Sequence, residues 1–262
     1  MQSTKHPAVA GMFYPADAQT LEQQIERFLS DAHPAITAPP KALVVPHAGY
    51  IYSGPVAASA YACLQPVRAQ IKRVLILAPA HRVPFQGLAC SSASQFETPL
   101  GLVRVDQEAL GQIRTLPQLQ ENDPAFRDEH SIEVQLPFLQ WVLDDFSIVP
   151  LLVGNASDLQ VAEIIERLWG GNETLIVISS DLSHYLEYDA ANRIDRETTR
   201  AIEAMRPEAI GYDNACGRTP LRGLLRVARL HDLRPTTLDL RNSGDTAGSH
   251  DRVVGYGAYV FN

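Results

Sequence analysis

Four histidines stand where chemistry is easiest to build. His47 follows an apolar run in Pro46-His47-Ala48-Gly49-Tyr50, and His81 follows another in Pro79-Ala80-His81-Arg82. His184 follows a third in Ser179-Ser180-Asp181-Leu182-Ser183-His184, and His130 sits at a loop-to-helix junction in Asp128-Glu129-His130-Ser131. Histidines with a carboxylate nearby are a common ligand set for zinc and non-haem iron. Asp181 reads either as a ligand or as a residue that orients a histidine. Glu129, His130 and Glu133 form a second polar cluster, for which helix capping is the plain structural alternative.

Nucleophilic catalysis has less support. Ser180, Asp181, Ser183 and His184 include triad residue types, but so short a segment rarely places all three, and no G-x-S-x-G elbow is present. Cys216, in Asn214-Ala215-Cys216-Gly217-Arg218, precedes a helix whose N-terminus could lower a thiol pKa; a buried, apolar cysteine is the commoner role. The loops at Gly49, Gly54 and Gly244 match neither a phosphate loop nor a dinucleotide fingerprint. His6, His33, His231 and His250 read as solvated loop or terminus residues.

The elements that must position these side chains alternate. Leu21, Ile25, Phe28 and Leu29 predict a helix from Ala16 to about Ala32, stopped by Pro34. Apolar runs predict buried strands at 42–45, 74–78, 147–153 and 174–179. Helices are expected at 56–64 (opened by Pro55), 106–114, 132–143 (kinked at Pro137), 158–169, 188–204 and 219–230. Short strands are expected within 87–105, polar irregular chain at 117–128, and closing strands near 235–241 and 252–261. Such alternation predicts an α/β fold, a mixed β-sheet flanked by helices, in one domain over residues 1–262. In an open α/β sheet, ligands bind beyond the carboxyl ends of the strands, so His47, His81 and His184 are expected in one cleft.

Composition narrows the partners. The chain has 262 residues, 45% of them hydrophobic, and a net charge of -8. The acidic balance argues against a nucleic-acid partner. No apolar run is long enough for a membrane span, and the start lacks a signal-peptide pattern, so a cytoplasmic location is expected. The three cysteines are widely spaced and odd in number, which suits neither a disulfide framework nor a CxxC zinc site.

Several blocks together resemble the Memo family. They are Ala10-Gly11-Met12-Phe13-Tyr14-Pro15, Pro46 to Gly54, Pro79 to Val83, Asp128 to Glu133, Ser180 to His184 and Cys216-Gly217-Arg218. Asn242-Ser243-Gly244-Asp245 fits its bacterial AmmeMemoRadiSam branch. The blocks keep family order over nearly the whole chain. The resemblance implies a fold similar to class III extradiol dioxygenases, which hold non-haem iron by two histidines and a carboxylate. It also implies association with a radical-SAM protein and an AMMECR1-type protein, beside which bacterial members are often encoded.

Carried over by position, the resemblance makes His47 and His81 the histidine ligands. His184 takes the place of the dioxygenase base, accompanied by Asp181. Animal members carry a cysteine near the segment aligned with Asn242 to Thr246; this chain has none there, and Asp245 is the nearest ligand-type residue. A site of two histidines and one carboxylate would suit Fe(II), with copper or zinc as other candidates. Tyr50, Tyr52, His130, Glu129 and Cys216 are expected to line the cleft. Two readings follow: a metal-dependent, dioxygenase-like oxidoreductase acting on a small molecule, or a non-catalytic module that holds a peptide or protein partner.

Overall fold

The computed structural model describes residues 3–33 and 38–262. The helix stop read at Pro34 lies outside the described residues. In chain order the first elements are β1 (Thr4–Lys5), α1 (Ala18–Ser30), β2 (Ala42–Val45), α2 (Tyr50–Tyr61) and β3 (Arg73–Pro79). Next come β4 (Leu88–Cys90), β5 (Gln95–Thr98), β6 (Gly101–Val105), α3 (Gln107–Ile113), β7 (Leu119–Glu121), α4 (Asp123–Arg127) and α5 (Leu136–Val142). The second half holds β8 (Ser147–Val153), α6 (Asp158–Arg167), β9 (Thr174–Ser179), β10 (His184–Leu186), α7 (Tyr188–Glu203), α8 (Arg218–Leu230), β11 (Pro235–Asn242) and β12 (Val253–Phe261).

All the strands join one mixed sheet of twelve, whose main path runs β1-β5-β6-β8-β3-β9-β2-β12-β10. The middle is parallel: β8, β3, β9 and β2 lie side by side, with Val45 opposite Ser179 and Leu77 opposite Ile178. β2 and β9 are buried at every position, as a parallel sheet covered on both faces requires. β12 then runs antiparallel to β2 and β11. This is the α/β architecture of a mixed sheet flanked by helices, and it agrees with a dioxygenase-like fold.

Helix starts follow local chemistry. Asp17 caps α1 by accepting from the Thr20 N–H, and Asp106 caps α3 by accepting from the Ala109 N–H. Three expectations need correction. α2 begins at Tyr50 rather than at Val56, and Pro55 lies inside it. Pro137 sits in the first turn of α5, where a missing N–H costs nothing, so it starts that helix instead of kinking it. The polar stretch at 117–128 holds β7 and α4. α4 is capped by Asn122 and carries Pro in its first turn, a start signal hidden by the helix's short length.

Candidate metal centre

The strand order places the chemistry. β3, β9 and β2 are neighbours, and the chain leaves all three at the same edge of the sheet. Two residues past each strand stand His81, Asp181 and His47. The His47 and His81 ring centroids are 5.2 Å apart, and His130 brings a third ring to 5.1 Å from His81 and 5.7 Å from His47. His130 is stacked on His81 and is itself packed by Phe13 at 4.6 Å.

The hydrogen bonds fix which ring nitrogen is free. His47 is buried, and its Nδ1 is 2.8 Å from Ser179 Oγ. That hydroxyl donates its one proton to the Ser131 carbonyl at 2.6 Å and accepts from Gln135 Nε2 at 2.7 Å. It must therefore accept from His47, so Nδ1 carries the proton and Nε2 carries the lone pair. Burial, with His81 and His130 beside it, holds the His47 imidazole well below its usual range, in the neutral form a ligand needs.

His81 is set by Glu129. One carboxylate oxygen takes the His81 Nδ1 at 3.0 Å, and the other takes its backbone N–H at 2.5 Å. The first oxygen also accepts from the His130 and Ser131 N–H groups. Burial alone would push the Glu129 carboxyl up; the His81 ring, its charge and these backbone donors outweigh that and hold it well below the carboxylate range. An ionised Glu129 on Nδ1 leaves His81 Nε2 free.

Cys216 supplies the third donor. Its Sγ lies 3.4 Å from His47 Nε2 and accepts from the Asp181 N–H at 3.2 Å. Ligand atoms of His47, His81 and Cys216 all lie within 4.8 Å of one another. Bonds of ~2.1 Å to nitrogen and ~2.3 Å to sulfur at a tetrahedral angle would set N and S about 3.6 Å apart, so the donors fit a single ion. Gly217 makes the approach possible: a Cβ there would sit 2.6 Å from Ser180 Cβ and 2.7 Å from the Ser179 carbonyl. Burial pushes the free Cys216 thiol up, so the helix that follows does not make it a reactive thiolate. Cys216 is half-buried, Cys63 and Cys90 are buried, and none of the three is in a disulfide.

Not every expected residue joins the cluster. Asp245 does not: it is exposed, one oxygen accepts from Tyr188 Oη at 2.5 Å, and the other accepts from the Asn242 N–H at 2.8 Å in a reciprocal cap. The carboxylate is consumed by its own turn, and sulfur from Cys216 stands where a third ligand was sought. Tyr50 is a core residue, 1% exposed, with its hydroxyl on the Val134 carbonyl and its ring against Tyr14 and Phe138. As the first residue of α2 it points toward α5 and the N-terminal segment; Tyr52 lines the cleft. Asp181 is buried, and its carboxylate takes the His47 N–H at 2.8 Å rather than orienting His184. Burial pushes that carboxyl up. His184 opens β10 and is exposed at the rim, not in the donor cluster.

The cleft over the histidines holds about 680 Å³, with Met12, Phe13, Tyr52 and Tyr256 among its walls. Ser179, Gln135 and Phe13 contact the histidine cluster or its supports, and the sequence reading did not single them out. A glutamine inside the apolar stretch 132–139, with every neighbour buried, was the available signal for Gln135.

Comparison with known proteins identifies the family. The family model described as Memo-like protein matches residues 5–260. A MEMO1 family protein of Aquifex aeolicus is 36% identical over 270 residues, covering 98% of each chain. Others from Ignicoccus hospitalis and Methanopyrus kandleri are 35% and 34% identical, covering 97% and 98% of each chain. Matched by the family model over residues 5–260 and by a relative at 36% identity across 98% of each chain, this chain belongs to the Memo family.

Proposed function

We propose that the protein is a metal-dependent oxidoreductase whose mononuclear site is His47 Nε2, His81 Nε2 and Cys216 Sγ. One observation carries the reading: three donors converge within 4.8 Å, with both imidazole tautomers fixed by bonds on the opposite nitrogen. Two nitrogens and a thiolate suit iron, copper and zinc; Asp181 adds a carboxylate oxygen 3.9 Å from His47 Nε2, beside the three donors. A bound ion would supply Lewis acidity there, and iron or copper would add electron transfer.

The chain's own residues do the rest. Glu129 and Ser179 orient the two imidazoles. His130 stands over His81 with its Nδ1 buried and without a hydrogen-bond partner. His184 at the rim is the imidazole placed to exchange a proton with a small molecule entering from solvent. Phe13, Tyr52 and Tyr256 give the cleft its apolar wall.

The test is ion uptake by anaerobically purified protein, offered Fe(II), Cu(I), Zn(II) and the spectroscopic probe Co(II). One ion per chain is expected, with a thiolate-to-cobalt absorption that Cys216→Ser removes. His47→Ala should abolish uptake, and Asp245→Ala should leave it unchanged. Uptake that survives both His47→Ala and Cys216→Ser would overturn the assignment; no uptake of any ion would leave a binding module instead.

A further inference from the structure

A second space lies on the other side of the His81–Cys216 pair. It holds about 1080 Å³ and shares His81, His184 and Tyr185 with the cleft; Cys216 lines this space and not the cleft. We propose that this cavity is the substrate chamber of the metal centre, and that it takes a small organic monocarboxylate with an apolar body, the carboxylate held by Arg218. The proposal rests on the metal reading above.

Arg218 carries the argument. It opens α8, two residues after Cys216, and it lines the cavity. One and two turns further along the same helix, Arg222 and Arg226 both pair with Asp158, at 3.1 and 2.9 Å. Arg218 has no acidic partner among the described residues. Its guanidinium instead lies 4.4 Å over the ring of Tyr212, a side chain 76% exposed. A guanidinium held over an aromatic face and without an acidic partner keeps N–H groups to offer an anion, and a carboxylate is the anion it can take in bidentate fashion. Asp213 is the one carboxylate in the wall, and it makes no ion pair with Arg218. A single arginine beside an acidic residue matches a monoanion better than a phosphate dianion.

The remaining walls suit the body of such a molecule. Val83, Phe85, Leu186 and Ile194 face the cavity. Phe85 is fixed from behind: its carbonyl accepts from the Asn155 N–H at 2.8 Å, and a Cβ on Gly154 would sit 2.4 Å from that carbonyl and 2.8 Å from the ring. Tyr185, at the boundary between cavity and cleft, is 68% exposed with φ of 58°. A tyrosine held in the left-handed region is uncommon and is found where surrounding structure imposes it, often at ligand sites. His81 and Cys216 line the same cavity as Arg218, so a molecule held there by its carboxylate can extend toward them.

The test is calorimetric binding of 3-phenylpropionate and its neutral amide to the zinc-loaded protein, which has no redox turnover. Wild type should bind the carboxylate better than the amide. Arg218→Gln should weaken the carboxylate about tenfold to a hundredfold, the range for a lost charged hydrogen bond, and leave the amide unchanged. Arg229→Gln, on an exposed turn of the same helix, controls for bulk charge and should change neither. Carboxylate binding that is absent in wild type, unaffected by Arg218→Gln, or lost instead in Arg82→Gln on the cleft side would overturn the chamber. Zinc content of the same samples separates the two readings. One zinc per chain with Arg218-independent binding sinks the chamber alone; no zinc uptake sinks the metal centre, and with it the chamber's role.

Discussion

Glu129 and Glu133 stand four residues apart and are equally buried, each 4% exposed. Glu129 faces the sheet edge, where it collects three backbone N–H groups and the His81 ring. Glu133 faces the N-terminal segment. It accepts from the Ala8 N–H at 2.6 Å, the Val9 N–H at 3.0 Å and Tyr14 Oη at 2.6 Å, with Lys5 Nζ at 3.8 Å. That segment carries Phe13, whose ring packs on His130 and whose carbonyl accepts from the Tyr50 N–H. Both carboxylates bear on the histidine cluster, one by direct contact and one through the wall it anchors. Residue type and burial are the same; the donors each one meets decide its role.

The comparison breaks cleanly if the two glutamates are exchanged for amides. Glu129→Gln turns an NH2 toward groups that are all donors, so buried N–H groups lose their acceptor. We expect a stability loss of ~3 kcal/mol or more and, because the His81 ring is no longer oriented, about tenfold to a hundredfold weaker ion binding. Glu133→Gln should cost about 1–3 kcal/mol and leave ion affinity within about threefold, while speeding amide exchange at residues 8–13. Urea melts, Co(II) titration and hydrogen exchange on the two variants make the check. Equal losses of affinity would mean that the N-terminal segment, not His81 orientation, sets the site.

The sequence showed one of these roles better than the other. Asp128-Glu129-His130-Ser131 was legible as chemistry because a histidine and a carboxylate adjoin. Nothing near Glu133 points to Ala8 and Tyr14, more than a hundred positions away. The same limit applies to the proposed third ligand. His47 and His81 were legible because apolar strands mark their own ends, and those ends share one edge of a parallel sheet. Cys216 lies on neither strand. It reaches His47 only because α8 packs back on β9 with glycine at the contact, a tertiary fact without local signature. Asp245 attracted attention for being acidic in a turn, and that turn is what occupies it. Tyr50 read as a cleft aromatic beside Tyr52, but a helix sends residues two apart to nearly opposite faces.

Asp195 sharpens the comparison from the other direction. It is as buried as the glutamates, at 2% exposed, yet the hydrogen bonds to its carboxylate come from Ser183 alone, whose N–H donates at 3.0 Å. Burial therefore prevails and pushes it up to about 6. A carboxyl raised from 3.8 to about 6 makes the folded state bind more protons between those values. Its contribution is full below pH ~4 and lost as pH rises through ~6, a span of about 3 kcal/mol. Asp195→Asn keeps the acceptor for Ser183 and removes the charge. The variant should gain on wild type by up to about 3 kcal/mol at pH 7.5 and show a flatter urea-stability profile between pH 4 and 6. Parallel profiles for the two proteins would show that Asp195 does not titrate in this window.

The smallest effect concerns the chain behind His47. Tyr61 Oη donates to Gln135 Oε1 at 2.8 Å, which turns the Gln135 amide so that its NH2 reaches Ser179 Oγ and the Pro46 carbonyl. Ser179 in turn receives the His47 ring proton. Removing the Tyr61 hydroxyl takes one acceptor's partner and leaves every group nearer the site bonded. Tyr61→Phe should therefore cost about 1 kcal/mol in stability. Ion affinity should fall by no more than about threefold, because Gln135 keeps both bonds of its NH2. Ser179→Ala, by contrast, frees His47 Nδ1 directly and leaves the Ser131 carbonyl without its donor; it should weaken ion binding about tenfold and cost about 2–3 kcal/mol in stability. Titrations of the two variants at one pH, set against their urea midpoints, separate orientation from packing. If Tyr61→Phe weakened the ion as much as Ser179→Ala, the whole buried chain would act as a unit; if neither did, the His47 tautomer would be set by something other than Ser179.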